Sequence, residues 1–219
     1  MVEVLIKLEK VSFSYSANRQ LLADIDLTLL KNKKIGITGK NGSGKTTLLY
    51  LIVGLLKPQK GKIEIFGRLI EKEEDFKAVR KKIGFLFQNP DLQLFCPSVR
   101  EEITFGLLVR GEDKKKATEK ALEFLEIFSL KEKADYPIYH LSEGEKKRLA
   151  LAEILVLSPE ILILDEPTND LDEEGKEILI NFLKNPSLSA IIVSQEKAFL
   201  SFLCDEIYQL KEGKLNPIN

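Results

Sequence analysis

Eight consecutive residues can do phosphate chemistry. Gly39, Lys40, Asn41, Gly42, Ser43, Gly44, Lys45 and Thr46 fit the pattern G-x-x-x-x-G-K-[ST] in full. Glycines in such a run let successive backbone N–H groups turn inward around phosphate oxygens, and a helix starting there adds its positive dipole end. Lys45 is placed to reach the β- and γ-phosphates of a nucleoside triphosphate, and Thr46 to ligate Mg²⁺, with Thr47 beside it on the ligand. Further along, Ile161, Leu162, Ile163 and Leu164 run into Asp165 and Glu166. Asp165 suits the outer shell of Mg²⁺, and Glu166 can polarise an attacking water. Acids after an apolar strand are common. In one chain with a phosphate loop they read as the hydrolytic half of the same site.

Such groups need a scaffold. Four short aliphatic runs, 35–38, 83–87, 161–164 and 190–194, lack polar alternation, as expected of strands buried on both faces. Helical patterns at 45–56, 113–128, 143–157 and 174–183 fill the gaps. The alternation predicts an α/β fold with a mostly parallel sheet, a P-loop nucleoside-triphosphatase core. The ends of the four runs deliver the phosphate loop, Gln88, the Asp165 and Glu166 pair, and Gln195. Open parallel sheets bind ligands along that edge. Residues 4–8, 11–15 and 25–29 alternate like half-buried strands, predicting an N-terminal antiparallel β subdomain. Helices alone occupy 89–157, between Asn89-Pro90 and Ser158-Pro159, which predicts an inserted helical subdomain. The expected organisation is one domain over 1–219, with a nucleotide-binding core at 1–88 and 158–219.

Composition narrows the function. The 219 residues carry 33 basic and 34 acidic side chains, for a net charge of −1. That balance gives no basic footprint of a duplex-binding protein, and no nucleic-acid partner is expected. Cys96 and Cys204 are far apart and read as reduced thiols. The opening residues show no leader-type apolar stretch, and the longest apolar run, 48–56, is well short of the ~20 residues that span a bilayer. Any membrane role is therefore expected to come through a partner.

The segment Leu141, Ser142, Glu143, Gly144, Glu145 has two readings. Ser142 with Glu145 three residues on makes a capping box, a plain helix start. The same helix end can also face a phosphate. The pattern alone does not choose.

Taken together, these residues resemble the nucleotide-binding subunits of ABC transporters over essentially the whole chain. Residues 39–46 look like their Walker A motif, 161–166 like Walker B, and 141–145 like the signature commonly written LSGGQ. Gln88 is similar to the Q-loop glutamine, a Mg²⁺ ligand, and Asp172 to the D-loop aspartate. Tyr15 falls where the family stacks an aromatic ring on adenine, although Val11, Phe13 and Tyr15 also share one face of a strand pattern. The resemblance implies ATP and Mg²⁺ as ligands. It implies a head-to-tail dimer with a second ABC ATPase subunit, the same chain or a different one, in which Ser142 and Gly144 of one subunit close over the other's ATP. Residues 87–99, with Phe105 and Gly106, resemble the ATPases of energy-coupling factor importers of vitamins or transition-metal ions. By that likeness the chain would sit on the cytoplasmic face of the cell membrane. There it would serve a transmembrane coupling subunit and a substrate-binding membrane subunit, with Leu94, Phe95 and Val99 as the exposed contact.

Two positions depart from the family pattern. Gln195 stands where a switch histidine is usual; it can donate one amide hydrogen bond but cannot carry charge or relay a proton. Glu143 replaces the first signature glycine and brings a carboxylate toward an anion. Together they predict one half of a heterodimer with a weakened site of its own. The only histidine, His140, reads as structural. The rival readings are a soluble ABC-type ATPase acting on nucleic acid or ribosomes, and a nucleotide sensor that does not hydrolyse. The first usually carries coiled coils or paired ATPase domains, which this chain lacks, and Glu166 argues against the second.

Overall fold

Alternating and all-apolar segments alike become strands, ten among the described residues. The computed structural model describes residues 3–16 and 20–218. The strands are β1 (Val4–Phe13), β2 (Leu22–Leu30), β3 (Lys34–Thr38), β4 (Lys60–Ile65), β5 (Arg68–Leu69) and β6 (Ile83–Leu86). After the helical stretch come β7 (Ile161–Asp165), β8 (Ser189–Val193), β9 (Glu206–Lys211) and β10 (Lys214–Ile218). The helices are α1 (Lys45–Ile52), α2 (Glu73–Arg80), α3 (Val99–Val109), α4 (Lys114–Ile127), α5 (Glu143–Leu155), α6 (Glu173–Leu183) and α7 (Lys197–Leu203). They fall into two densely packed units. The first holds Met1–Phe85, Glu160–Glu166 and Asn185–Asn219, and the second Leu86–Pro159 and Pro167–Lys184.

The first unit contains two sheets, one antiparallel in the order β2-β1-β4-β5 and one in the order β10-β9-β3-β8-β7-β6. In the larger, β9, β3, β8 and β7 run parallel, which sets the ends of β3, β8 and β7 along one edge. β10 returns antiparallel to β9. β3, β7 and β8 are buried at every position, as their unbroken aliphatic runs require. β6 is not: Ile83 and Phe85 are half-buried, as suits a strand at the sheet's edge. Leu48, Leu49, Leu51 and Ile52 of α1 share one apolar core with both sheets.

Several sequence expectations need correction. The two predicted strands at 4–8 and 11–15 are one bulged strand. Lys10 takes a left-handed backbone (φ 47°) and the register with β2 slips between Leu8 and Val11, so the alternation shifts without the strand ending. Tyr15 lies beyond that strand rather than on its face. α1 ends four residues before the predicted 56, because Gly54 is left-handed (φ 73°) and stops the helix.

The second unit is helical. Ser98, Asp113, Ser142 and Asp172 cap α3, α4, α5 and α6, each accepting a backbone N–H of its own first turn. Phe128 is fully buried and stacks on Phe182 of α6 at 5.6 Å. This unit reaches beyond the expected 89–157. Residues 167–184, assigned from sequence to the nucleotide-binding core, pack with the helices. Among the described residues no helix is long and apolar enough to cross a membrane.

Candidate active site

β3 ends at Thr38 and the chain must turn at once. Gly39 makes this possible, since a Cβ there would lie 2.6 Å from the Leu210 carbonyl oxygen and 2.8 Å from Ser43 Oγ. Gly42 (φ 74°) and Gly44 (φ 103°) then take left-handed conformations that bring the loop around to α1. Gly44 offers α1 no side-chain cap, and its first turn holds no acid. The N–H groups and dipole of that helix end are left for an anion.

The chemical groups collect around this loop. Lys45, 7% exposed, donates from Nζ to the carbonyls of Gly39 (2.9 Å) and Lys40 (3.4 Å), and lies 3.8 Å from Glu166 Oε1. Thr46 Oγ1 donates to Asp165 Oδ2 at 2.7 Å. Asp165 and Glu166 are almost fully buried at the end of β7. Glu166 holds a left-handed backbone (φ 46°), uncommon for a side-chain-bearing residue, with its N–H on the Val193 carbonyl at 2.9 Å. Such backbone strain, about 1–3 kcal/mol, gathers where position matters for chemistry. Gln195, after β8, donates its backbone N–H to Glu166 Oε2 (3.2 Å) and its side-chain amide to Asn41 Oδ1 (3.0 Å). Tyr15 contacts Thr47 through its hydroxyl at 3.2 Å and packs edge-on against Phe13, while two-thirds of it stays exposed.

The arrangement suits a polyphosphate with a hard cation. Ser43 Oγ and Glu166 Oε1 are buried without a hydrogen bond, a cost of about 1–3 kcal/mol each that phosphate or its attacking water would relieve. A hydroxyl beside one carboxylate, Thr46 with Asp165, is the donor set expected where Mg²⁺ takes its other ligands from phosphate and water. Among the described residues no cluster of three or more acids, cysteines or histidines offers a different metal centre.

The remaining predicted residues belong to the helical unit. Gln88 has an exposed side chain. Ser142 and Glu145 do form the capping box, with Glu145 Oε2 accepting the Ser142 N–H at 3.0 Å. A Cβ on Gly144 would sit 2.7 Å from the Asp170 carbonyl, so this glycine lets the segment before α6 approach α5. Glu143 turns back to Lys146 at 3.0 Å, and Lys146 also pairs with Asp91 at 2.9 Å. One ammonium thus serves two carboxylates. Asp172 caps α6 and has the Arg148 guanidinium 3.8 Å away, with Glu174 sharing that cation at 3.1 Å. The sequence reading missed Arg148, whose only signal was a charge inside the apolar repeat of α5.

The expected contact patch needs revision. Leu94 and Val99 are buried, at 9% and 0% exposure, whereas Leu92, Phe95 and Phe105 are open. Phe95 and Phe105 pack edge to face at 5.1 Å. The 3₁₀ turn Pro90–Leu92 and the cap at Ser98 turn alternate side chains inward, which the sequence pattern alone did not reveal.

Comparison with known proteins places the chain in a family. Residues 22–169 match the family model described as ABC transporter. The chain is 39% identical over 223 residues to the energy-coupling factor transporter ATP-binding protein EcfA2 of Caldanaerobacter subterraneus subsp. tengcongensis, covering 97% of this chain and 78% of the relative. The structure of cbiO1 from Clostridium perfringens, part of the ABC transporter complex cbiONQ, superposes with a TM-score of 0.82 at 31% identity, over 97% of this chain and 87% of that one. A dimeric post-hydrolysis structure of the ATP-binding cassette MJ0796 with ADP and phosphate gives 0.86 at 25% identity, covering 96% of each chain. With the loop 39–46, the capped helix α5 and the buried carboxylates ending β7 already described, these likenesses establish that the chain belongs to the ABC transporter family as an ATP-hydrolysing subunit.

Proposed function

We propose that the chain powers an energy-coupling factor-type importer of a vitamin or metal ion, from the cytoplasmic face of the membrane, as one half of an ATPase heterodimer. The observation that carries the chemistry is the pairing of Thr46 with Asp165 beside Lys45 and Glu166. Lys45 exchanges its loop carbonyls for β- and γ-phosphate oxygens, and Asn41, Gly42, Ser43, Gly44 and Thr47 line the loop around them. Tyr15 offers its open face to adenine. Thr46 and Asp165 would hold Mg²⁺, which supplies charge neutralisation on the phosphates.

Glu166 orients a water and accepts its proton as the water oxygen bonds the γ-phosphorus. The bond to the β,γ-bridging oxygen breaks, giving ADP and phosphate. Gln195 contributes one neutral donor in place of an imidazole. Ser142 and Gly144 close over the ATP of the partner ATPase, and Asp172 lines the same junction. The open cluster of Leu92, Phe95 and Phe105 offers the transmembrane coupling subunit an apolar contact, and a further membrane subunit brings the substrate.

The test is turnover of the chain alone, with its co-purified ATPase partner, and as Gln195→His. Low turnover alone that rises about 10²–10³-fold with a restored histidine is expected, by analogy with a lost oxyanion donor. Vigorous hydrolysis by the unmodified homodimer overturns the heterodimer reading.

A further inference from the structure

The helix that starts at the signature serine also grips the segment following Gln88. Ala150 lies four residues from Lys146 and three from Lys147, and Glu153 three further on, so the four share one side of α5. Each meets the segment 87–93. Lys146 pairs with Asp91 at 2.9 Å, and Lys147 Nζ donates to the carbonyls of Phe87 (3.2 Å) and Gln88 (2.8 Å). The Gln93 amide donates to the Ala150 carbonyl (2.9 Å) and to Glu153 Oε2 (2.8 Å), and its oxygen accepts the Phe87 N–H at 3.2 Å.

Lys147 stands out because it is completely buried. An ammonium is a compact, strongly hydrated charge, and burying it forfeits that hydration. Apolar side chains of similar volume often replace buried ions with no loss of stability. Packing alone therefore gives little reason for a lysine here, whereas holding two consecutive carbonyls in register gives a strong one. Its neighbour Lys146 joins Asp91 to Glu143, the residue next to Ser142.

We propose that Lys147 is a positioning residue, whose buried ammonium locks the main chain at Phe87 and Gln88 to the signature helix. The turn bearing Leu92 and Phe95 then moves with Ser142 as one lever. The use of this lever rests on the proposed reading of that turn as the membrane contact; the lock itself is a property of the chain alone.

Amide hydrogen exchange on the full chain tests it, comparing wild type, Lys147→Met and Lys147→Arg, with melting temperature and ATP affinity as controls. In Lys147→Met, amides of 86–94 are expected to exchange about tenfold faster or more, the size of losing charge-assisted hydrogen bonds. Exchange in β3, β7 and β8 and affinity for ATP stay as they were. Lys147→Arg retains most of the protection. Unchanged exchange at 86–94 overturns the lock. Faster exchange spread over the whole helical unit with a lowered melting temperature, or equal effects of Met and Arg, reduces Lys147 to general packing and overturns it too. A lock found in exchange, with Phe95→Ser still able to capture the membrane partner, overturns only the contact reading.

Discussion

Two alanine substitutions in the phosphate loop separate space from backbone conformation. Gly39 has an ordinary backbone, but a Cβ would stand 2.6 Å from the carbonyl oxygen of Leu210. Ordinary contact starts at 3.4 Å, so loop and strand must part by about 0.8 Å, and the obstructing atom belongs to β9. Gly42 is the converse: nothing lies within 4 Å of its would-be Cβ, but φ is 74°. A left-handed L-residue costs about 1–2 kcal/mol, whereas overpacking costs about 1–3 kcal/mol and moves the atoms around it. Misplacing reacting groups by about 1 Å costs about 10²-fold in rate. Gly39→Ala should therefore lower kcat by about 10²-fold in the assembled ATPase and melt a few degrees early. Gly42→Ala should melt similarly early yet keep most activity, and Gly42→Asn should regain stability because asparagine tolerates that backbone. Steady-state ATPase assays with differential scanning calorimetry read both. A Gly39→Ala protein with wild-type kcat, or a Gly42→Asn protein no more stable than Gly42→Ala, would refute the reasoning.

Two further outcomes follow from the helical unit. Burial first, then the nearby Glu102 carboxylate, pushes Glu153 up to about 7 against the Gln93 hydrogen bond that lowers it. An acid whose pKa is higher folded than unfolded stabilises below its unfolded value near 4.5 and loses that contribution as pH rises toward 7. Glu153→Gln keeps an acceptor for Gln93 and removes the titration. Its melting temperature should gain on wild type between pH 4.5 and 7.5, by up to about 3 kcal/mol in stability, and a pH-independent difference would count against the shift. Phe95→Ser should weaken capture of the transmembrane partner from membranes while leaving the partner-free ATPase rate within about twofold, because an exposed ring contributes little to folding; unchanged capture would remove this face from the contact.

Much of the site was legible because its parts are local. Gly39 to Thr46 must loop and then helix, and 161–164 must be a buried strand delivering Asp165 and Glu166, whatever else the chain does. What escaped the sequence is set by contacts distant along the chain. β9 and β10 are half-buried and mixed in composition, so neither period stood out, yet Leu210 of β9 fixes the space at Gly39. Leu94 and Val99 were expected outside and lie inside because the turn after Pro90 reverses which side chains face the helices. Arg148 and Lys147 escaped the sequence reading, because only packing distant along the chain buries them. Gln195 was expected as a neutral donor, but its bridge to Asn41 required knowing that β8 lies beside β3.

The most direct measurement is calorimetric titration of ATP into the chain with and without Mg²⁺, in wild type and Lys45→Ala. Binding that strengthens with the ion and falls at least about tenfold without the ammonium is expected, since a charge-assisted hydrogen bond contributes about 1.5–3 kcal/mol. Equal binding by Lys45→Ala, or indifference to Mg²⁺, would contradict a triphosphate held between the loop after β3 and the acids ending β7.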